Sequence, residues 1–159
     1  INNSGISILP RGGVMKKALI VYDSRSGGTE QIAELIGEGL RIEGAEAVVS
    51  KAQKFKTESD LQGFDAYIVG SPNYHGEMLQ SMKKLLFLME KAELQGKVGG
   101  AFGSFGWDSG VVERLYNTLL HVFSLDMVSG PLMLKTASVS GGIKVAQDYG
   151  REVAQKLKG

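Results

Sequence analysis

The sequence predicts an α/β fold, a doubly wound parallel sheet of five strands with helices packed on both of its faces. Three observations predict it. Short apolar runs without polar alternation recur along the chain, the mark of strands buried on both faces. Segments with apolar residues at helical spacing stand between them, and strand alternating with helix implies parallel pairing through crossovers. The composition holds 22 glycines against 3 prolines, which asks for several tight loops where a ligand approaches the backbone closely. At 159 residues, the chain reads as one domain.

Each element has its own signal. Residues 18–22 form an unbroken apolar run, the first strand, and the polar stretch 23–29 ends it. Ile32, Ala33, Leu35, Ile36 and Leu40 then recur at helical spacing, and Gly44 stops that helix. Residues 45–50 read as the second strand and 51–63 as a polar connection. Residues 66–70 make the third strand, closed by Ser71 and Pro72. Met78, Met82, Leu85, Leu86 and Met89 predict a second helix. Residues 98–103 are the fourth strand, so rich in glycine that something must pack close to it. A helix carrying Val112, Leu115, Leu119, Leu120 and Phe123 follows. Residues 126–134 give the fifth strand, interrupted at Gly130 and Pro131, and a closing helix runs over 142–157.

Composition removes several function classes. Lys and Arg number 18 against 17 Asp and Glu, so no broad basic surface points to nucleic acid or to an acidic membrane. Cysteine is absent, which excludes disulfides, thiolate metal sites, cysteine nucleophiles and cysteine-bound iron–sulfur clusters. His75 and His121 are the only histidines, too few for a multi-histidine metal centre. No apolar run approaches the length of a membrane span. Residues 1–14 show no period and no secretory pattern. They are expected to be a leader outside the domain, which would occupy 15–159.

In an open parallel sheet, ligands bind beyond the carboxyl ends of the strands. Three unusual loops follow the first, third and fourth strands and are expected to gather at that edge. The first is Ser24, Arg25, Ser26, Gly27, Gly28 and Thr29. Its hydroxyls, paired glycines and following helix make a cradle of donors for a phosphate; a plain helix cap at Ser26 or Thr29 is the other reading. It matches neither a Walker loop nor the Gly-x-Gly-x-x-Gly fingerprint. The second loop is Ser71, Pro72, Asn73, Tyr74, His75 and Gly76, followed by Glu77. The third runs through Ser104, Phe105, Gly106, Trp107 and Asp108 to Gly110. Tyr74 and Trp107, on facing loops, suit a sandwich around a planar ring; Phe105 fits better as a core anchor. His75 reads first as an exposed loop histidine and second as a group titrating beside the ligand. His121 reads as structural or surface-exposed.

Ser-x-Ser-Gly-Gly-Thr after the first strand, with Gly103-Ser104-Phe105-Gly106-Trp107 after the fourth, resembles a flavodoxin-like FMN-binding domain. The resemblance covers essentially 15–159. With Gly70-Ser71-Pro72 and the loop behind it, the chain is most similar to short-chain flavodoxins and to the flavodoxin domain of A-type flavoproteins (flavodiiron proteins). The resemblance, not the residues themselves, implies the strand order 2-1-3-4-5 with FMN at the point where that order reverses. It makes Ser24, Ser26, Gly27, Gly28 and Thr29 the phosphate loop, with Arg25 beside it. Ser71 to Gly76 becomes the loop beside one flavin face, and the segment from Gly103 to Gly110 the loop beside the other. Backbone groups of Asn73 to Gly76 become the contacts to the flavin N5 edge. The chemistry then belongs to the flavin, while the protein binds, orients and tunes it.

Two departures qualify the resemblance. Flavodoxins are strongly acidic, whereas this chain is close to neutral, so docking to basic partners is only weakly steered. No His/Asp/Glu cluster matches the metal-binding domain of the flavodiiron proteins. The expected function is therefore a cytoplasmic FMN-binding electron-transfer protein, shuttling electrons between redox protein partners, as a monomer or else a dimer. The alternative is an NAD(P)H-dependent FMN or quinone reductase on the same fold, since the loop from Ser71 to Gly76 is also similar to that family. A phosphate-accepting receiver is a third reading; it wants clustered aspartates, and Asp23 stands alone in the sequence.

Overall fold

A computed structural model of the chain describes residues 15–23, 28–72, 77–104, 110–135 and 141–159. The first strand, β1 (Lys17–Tyr22), lies between β2 (Glu46–Lys51) and β3 (Ala66–Gly70), parallel to both. On the far side of β3 comes β4 (Val98–Ser104). Two short strands, β5 (Asp126–Met127) and β6 (Leu132–Leu134), pair with the two ends of β4. The order is β2-β1-β3-β4-β5, the doubly wound order expected. The fifth strand position is thus filled by two pieces.

Among the described residues, four α-helices cover the sheet: α1 (Gly28–Ile42), α2 (Gln80–Ala92), α3 (Gly110–Asn117) and α4 (Gly142–Leu157). Because side chains alternate across a strand, β1 feeds two cores at once. Ala18, Ile20 and Tyr22 join Ile32 and Ile36 of α1 and Ala146 and Val153 of α4. Leu19 and Val21 join Met82 and Leu85 of α2 and Leu115 of α3. That double burial is why the first apolar run shows no polar alternation. Strand β2, at the sheet edge, is mostly half-buried.

The structure differs from expectation in detail. Met78 lies ahead of α2 and packs half-buried against the second core from the connection, so its apolar character belongs to packing rather than to helix period. The third helix passes into a π-helical turn, Thr118–Val122, before Phe123 turns inward. The glycines of β4 have the close neighbours their number called for. A Cβ on Gly100 would stand 3.0 Å from the Tyr149 hydroxyl, and one on Gly103 would stand 2.3 Å from Val112 and 2.5 Å from the Ser71 carbonyl oxygen. No helix among the described residues is long and apolar enough to cross a membrane.

Candidate functional site

The site begins with register. Tyr22 pairs with Gly70, and Gly70 with Phe102, so the carboxyl ends of β1, β3 and β4 stand level. The three loops singled out in the sequence leave from these adjacent ends. A backbone ladder continues past them: the Asp23 N–H donates to the Gly70 carbonyl at 3.0 Å, and the Ser71 N–H to the Phe102 carbonyl at 3.1 Å.

From the first loop, Gly28 and Thr29 open α1. Thr29 is buried, and its hydroxyl lies 3.0 Å from that of Ser104, at the end of β4, with either able to donate. Gly28 stands over the same serine: a Cβ there would be 3.8 Å from the Ser104 hydroxyl oxygen. From the second loop, Ser71 is fully buried and its hydroxyl donates to the Pro72 carbonyl at 3.1 Å. The Ser71 carbonyl oxygen faces Gly103, and the missing side chain there lets the ends of β3 and β4 approach. Gly110, expected at the end of the third loop, opens α3. Ser24, Arg25, Ser26 and Gly27, then Asn73, Tyr74, His75 and Gly76, then Phe105, Gly106 and Trp107, lie outside the described residues.

One residue absent from the expected set belongs to this edge. Asp23 follows β1 directly and is 2% exposed. The Ser81 hydroxyl, in the first turn of α2, donates to its Oδ2, and Gln53 Nε2 donates to its Oδ1 at 3.4 Å. Asp23 therefore ties the base of the first loop to the start of α2 and to the turn after β2. Its partners are 30 and 58 residues away in sequence, which is why the chain alone left it isolated. The available signal was a carboxylate set between a buried strand and a loop of hydroxyls and glycines. Next to it, burial first and the Glu30 carboxylate second push the Tyr22 phenol above its ordinary range, so it stays neutral. His121, on the π-helical turn, is exposed and remote from this edge. No three His, Asp or Glu side chains group as a metal site among the described residues.

Known proteins place the chain. Residues 19–107 match the family model described as a flavodoxin domain, and the chain belongs to that family. It is 29% identical to the rubredoxin-oxygen oxidoreductase of Megalodesulfovibrio gigas, over 89% of this chain and 36% of that protein. It is 33% identical to an NAD(P)H dehydrogenase (quinone) of Cupriavidus metallidurans, over 74% of this chain and 72% of that one. The structure is similar to that of a flavodoxin from the domain Archaea, with a TM-score of 0.82 at 28% identity, over 90% of this chain and 99% of the other. The chain spans about a third of the length of that oxidoreductase and of a type A flavoprotein of Rhodobacter capsulatus that it also matches.

FMN, the cofactor expected from the sequence, is the one that this membership supports, and with it electron transfer as the general function. The described residues fit such a ligand. A 15-residue helix points its amino terminus at the edge, where first-turn N–H groups and the helix dipole favour a phosphate. The Thr29 and Ser104 hydroxyls stand beside that terminus, and the oxygens of Asp23 are turned to Ser81 and Gln53.

Proposed function

We propose that residues 15–159 form one FMN-binding unit that carries electrons between redox protein partners. The observation that carries this reading is the level row of Tyr22, Gly70 and Phe102, which starts three loops side by side with the Thr29 and Ser104 hydroxyl pair at the head of α1. In this reading Ser24, Ser26, Gly27, Gly28 and Thr29 hold the phosphate, and Tyr74 and Trp107 flank the ring. FMN supplies one- and two-electron redox chemistry when bound. The protein's own residues bind, orient and enclose. Thr29 and Ser104 add hydroxyls to the helix terminus, Gly103 allows the second and third loops to close together, and Asp23 fixes the root of the first.

A second reading has its own support. The quinone dehydrogenase relative is matched over most of both chains, whereas the rubredoxin-oxygen oxidoreductase is matched over most of this chain alone. One titration separates the readings. FMN added to the purified protein is expected to bind at micromolar concentration, with a changed visible spectrum and quenched flavin fluorescence. NAD(P)H alone is then expected to leave the bound flavin oxidised; rapid bleaching with turnover of quinone would move the assignment to the reductase. Absence of FMN binding would remove both. Trp107→Ala is expected to weaken FMN binding by about ten-fold, on the scale of one aromatic stacking contact; an unchanged affinity takes Trp107 out of the site.

A further inference from the structure

Beside the candidate flavin site lies a groove of about 710 Å³ between the turn after β2 and the outer face of α2. Ser81, which donates to Asp23 at the sheet edge, lines its upper end, so the groove starts at the flavin edge and runs down α2. Three lysines, Lys56, Lys83 and Lys84, line it with Phe55 and Phe87, and among the described residues no carboxylate does. Lys56 and Lys84 have no ion-pair partner among the described residues, while Lys83 meets Glu77 at 3.5 Å with both side chains exposed. Phe87 is 60% exposed, and Lys91 Nζ stands 4.8 Å from its ring centre. The nearby Asp60 carboxylate accepts from the backbone N–H groups of Lys56 and Thr57, which hold it below the usual carboxylate range.

A chain of nearly zero net charge thus sets Lys56 and Lys84, neither ion-paired among the described residues, in one groove with an exposed aromatic ring. An exposed aromatic that shares an open groove with lysines suits a protein surface better than an enclosed small molecule. Charge complementarity then fixes the sign of the partner. We infer that the groove of Lys56, Lys84 and Phe87 docks an acidic redox protein, which brings its own centre to the flavin edge. The inference rests on the FMN reading for its redox sense, but the docking itself does not require bound flavin.

The test uses one redox protein in two charge states: native cytochrome c, which is basic, and succinylated cytochrome c, whose lysines carry carboxylates. Each is titrated into the isotope-labelled full chain, with FMN binding followed separately by the visible spectrum. The succinylated protein is expected to shift amide signals within 52–56 and 80–88, and the native protein is expected not to. Raising salt from about 20 to about 200 mM is expected to weaken the complex about ten-fold. Lys56→Glu with Lys84→Glu is expected to weaken it about ten-fold as well, with FMN affinity unchanged. Equal shifts with both cytochromes, shifts confined to other surfaces, or an unaffected double variant would overturn the docking site. So would preferential binding of a single-stranded oligonucleotide, or a dimer of this chain that the double variant abolishes. Loss of FMN binding with the shifts intact would instead fault the cofactor reading alone.

Discussion

Thr29 and Ser104 come from segments 75 residues apart, yet their hydroxyl oxygens are 3.0 Å from each other at the head of α1. Two roles are open to such a pair, holding the loops together or offering donors to a ligand, and a double substitution separates them. Removing the Ser104 hydroxyl alone strands that of buried Thr29, whereas removing both leaves nothing unpaired. Thr29→Val with Ser104→Ala is therefore expected to keep the unfolding free energy within about 1 kcal/mol, while FMN affinity falls about ten-fold, as loss of a hydrogen bond to a charged group implies. Urea unfolding and fluorescence titration read the two quantities. A large stability loss with unchanged affinity would make the pair a structural clasp. At this scale the sequence was legible for local features and blind to distant ones. Thr29, singled out by its place after two glycines, stands at the head of α1, while the bonds that hold Asp23 come from Gln53 and Ser81 and leave no local trace.

Elements were legible where burial dictated composition. Strands β1 and β3, buried on both faces, announced themselves as apolar runs, β4 did so through its glycines, and β2, half-buried, did so more faintly. The start of α2 was less clear, because Met78 is apolar for the sake of the core beneath it rather than for the helix. The contact between α1 and α4 was not legible at all. A Cβ on Gly39 would fall 1.9 Å from the Gln147 carbonyl oxygen, and one on Gly150 would fall 2.0 Å from that of Ile36. Each helix thus lays its backbone against the other's, and neither glycine marks a turn. Gly150→Ala, which would gain about 1 kcal/mol in an isolated helix, is expected here to destabilise the protein by about 1–3 kcal/mol through overpacking. Chemical denaturation checks it; a gain in stability would show that the helices part at little cost.

For the whole molecule, the same helix pair makes a pH sensor of stability. Glu43, just beyond α1, accepts from Arg151 Nε at 3.0 Å, from Lys158 Nζ at 3.2 Å and from Gln155 Nε2 at 2.8 Å. Arg151 first and Lys158 second hold its carboxyl below the usual range. A carboxyl depressed in the folded state adds stability that is complete above its unfolded-state value and is lost as pH falls through the folded one. The melting temperature is therefore expected to drop in acid below the ordinary glutamate range, and Glu43→Gln to flatten that drop while lowering stability at neutral pH. Thermal melts across that range check it. A parallel curve for the variant would assign the acid loss to other carboxyls.

The break in the fifth strand has its own outcome. Gly99 accepts from the Val128 N–H on that side of β4, so Ala101, two residues on, turns its peptide groups the same way, between the ends of β5 and β6. The Tyr149 hydroxyl stands in the gap: it accepts from the Ala101 N–H at 3.1 Å, and its one proton serves the Ala101 carbonyl at 3.1 Å or that of Gly130 at 3.2 Å. A phenol on the last helix substitutes for a missing rung. Deuterium uptake at the amide of Ala101 should therefore keep time with the fraying of α4, a clock in mid-sheet for events at the chain's far end.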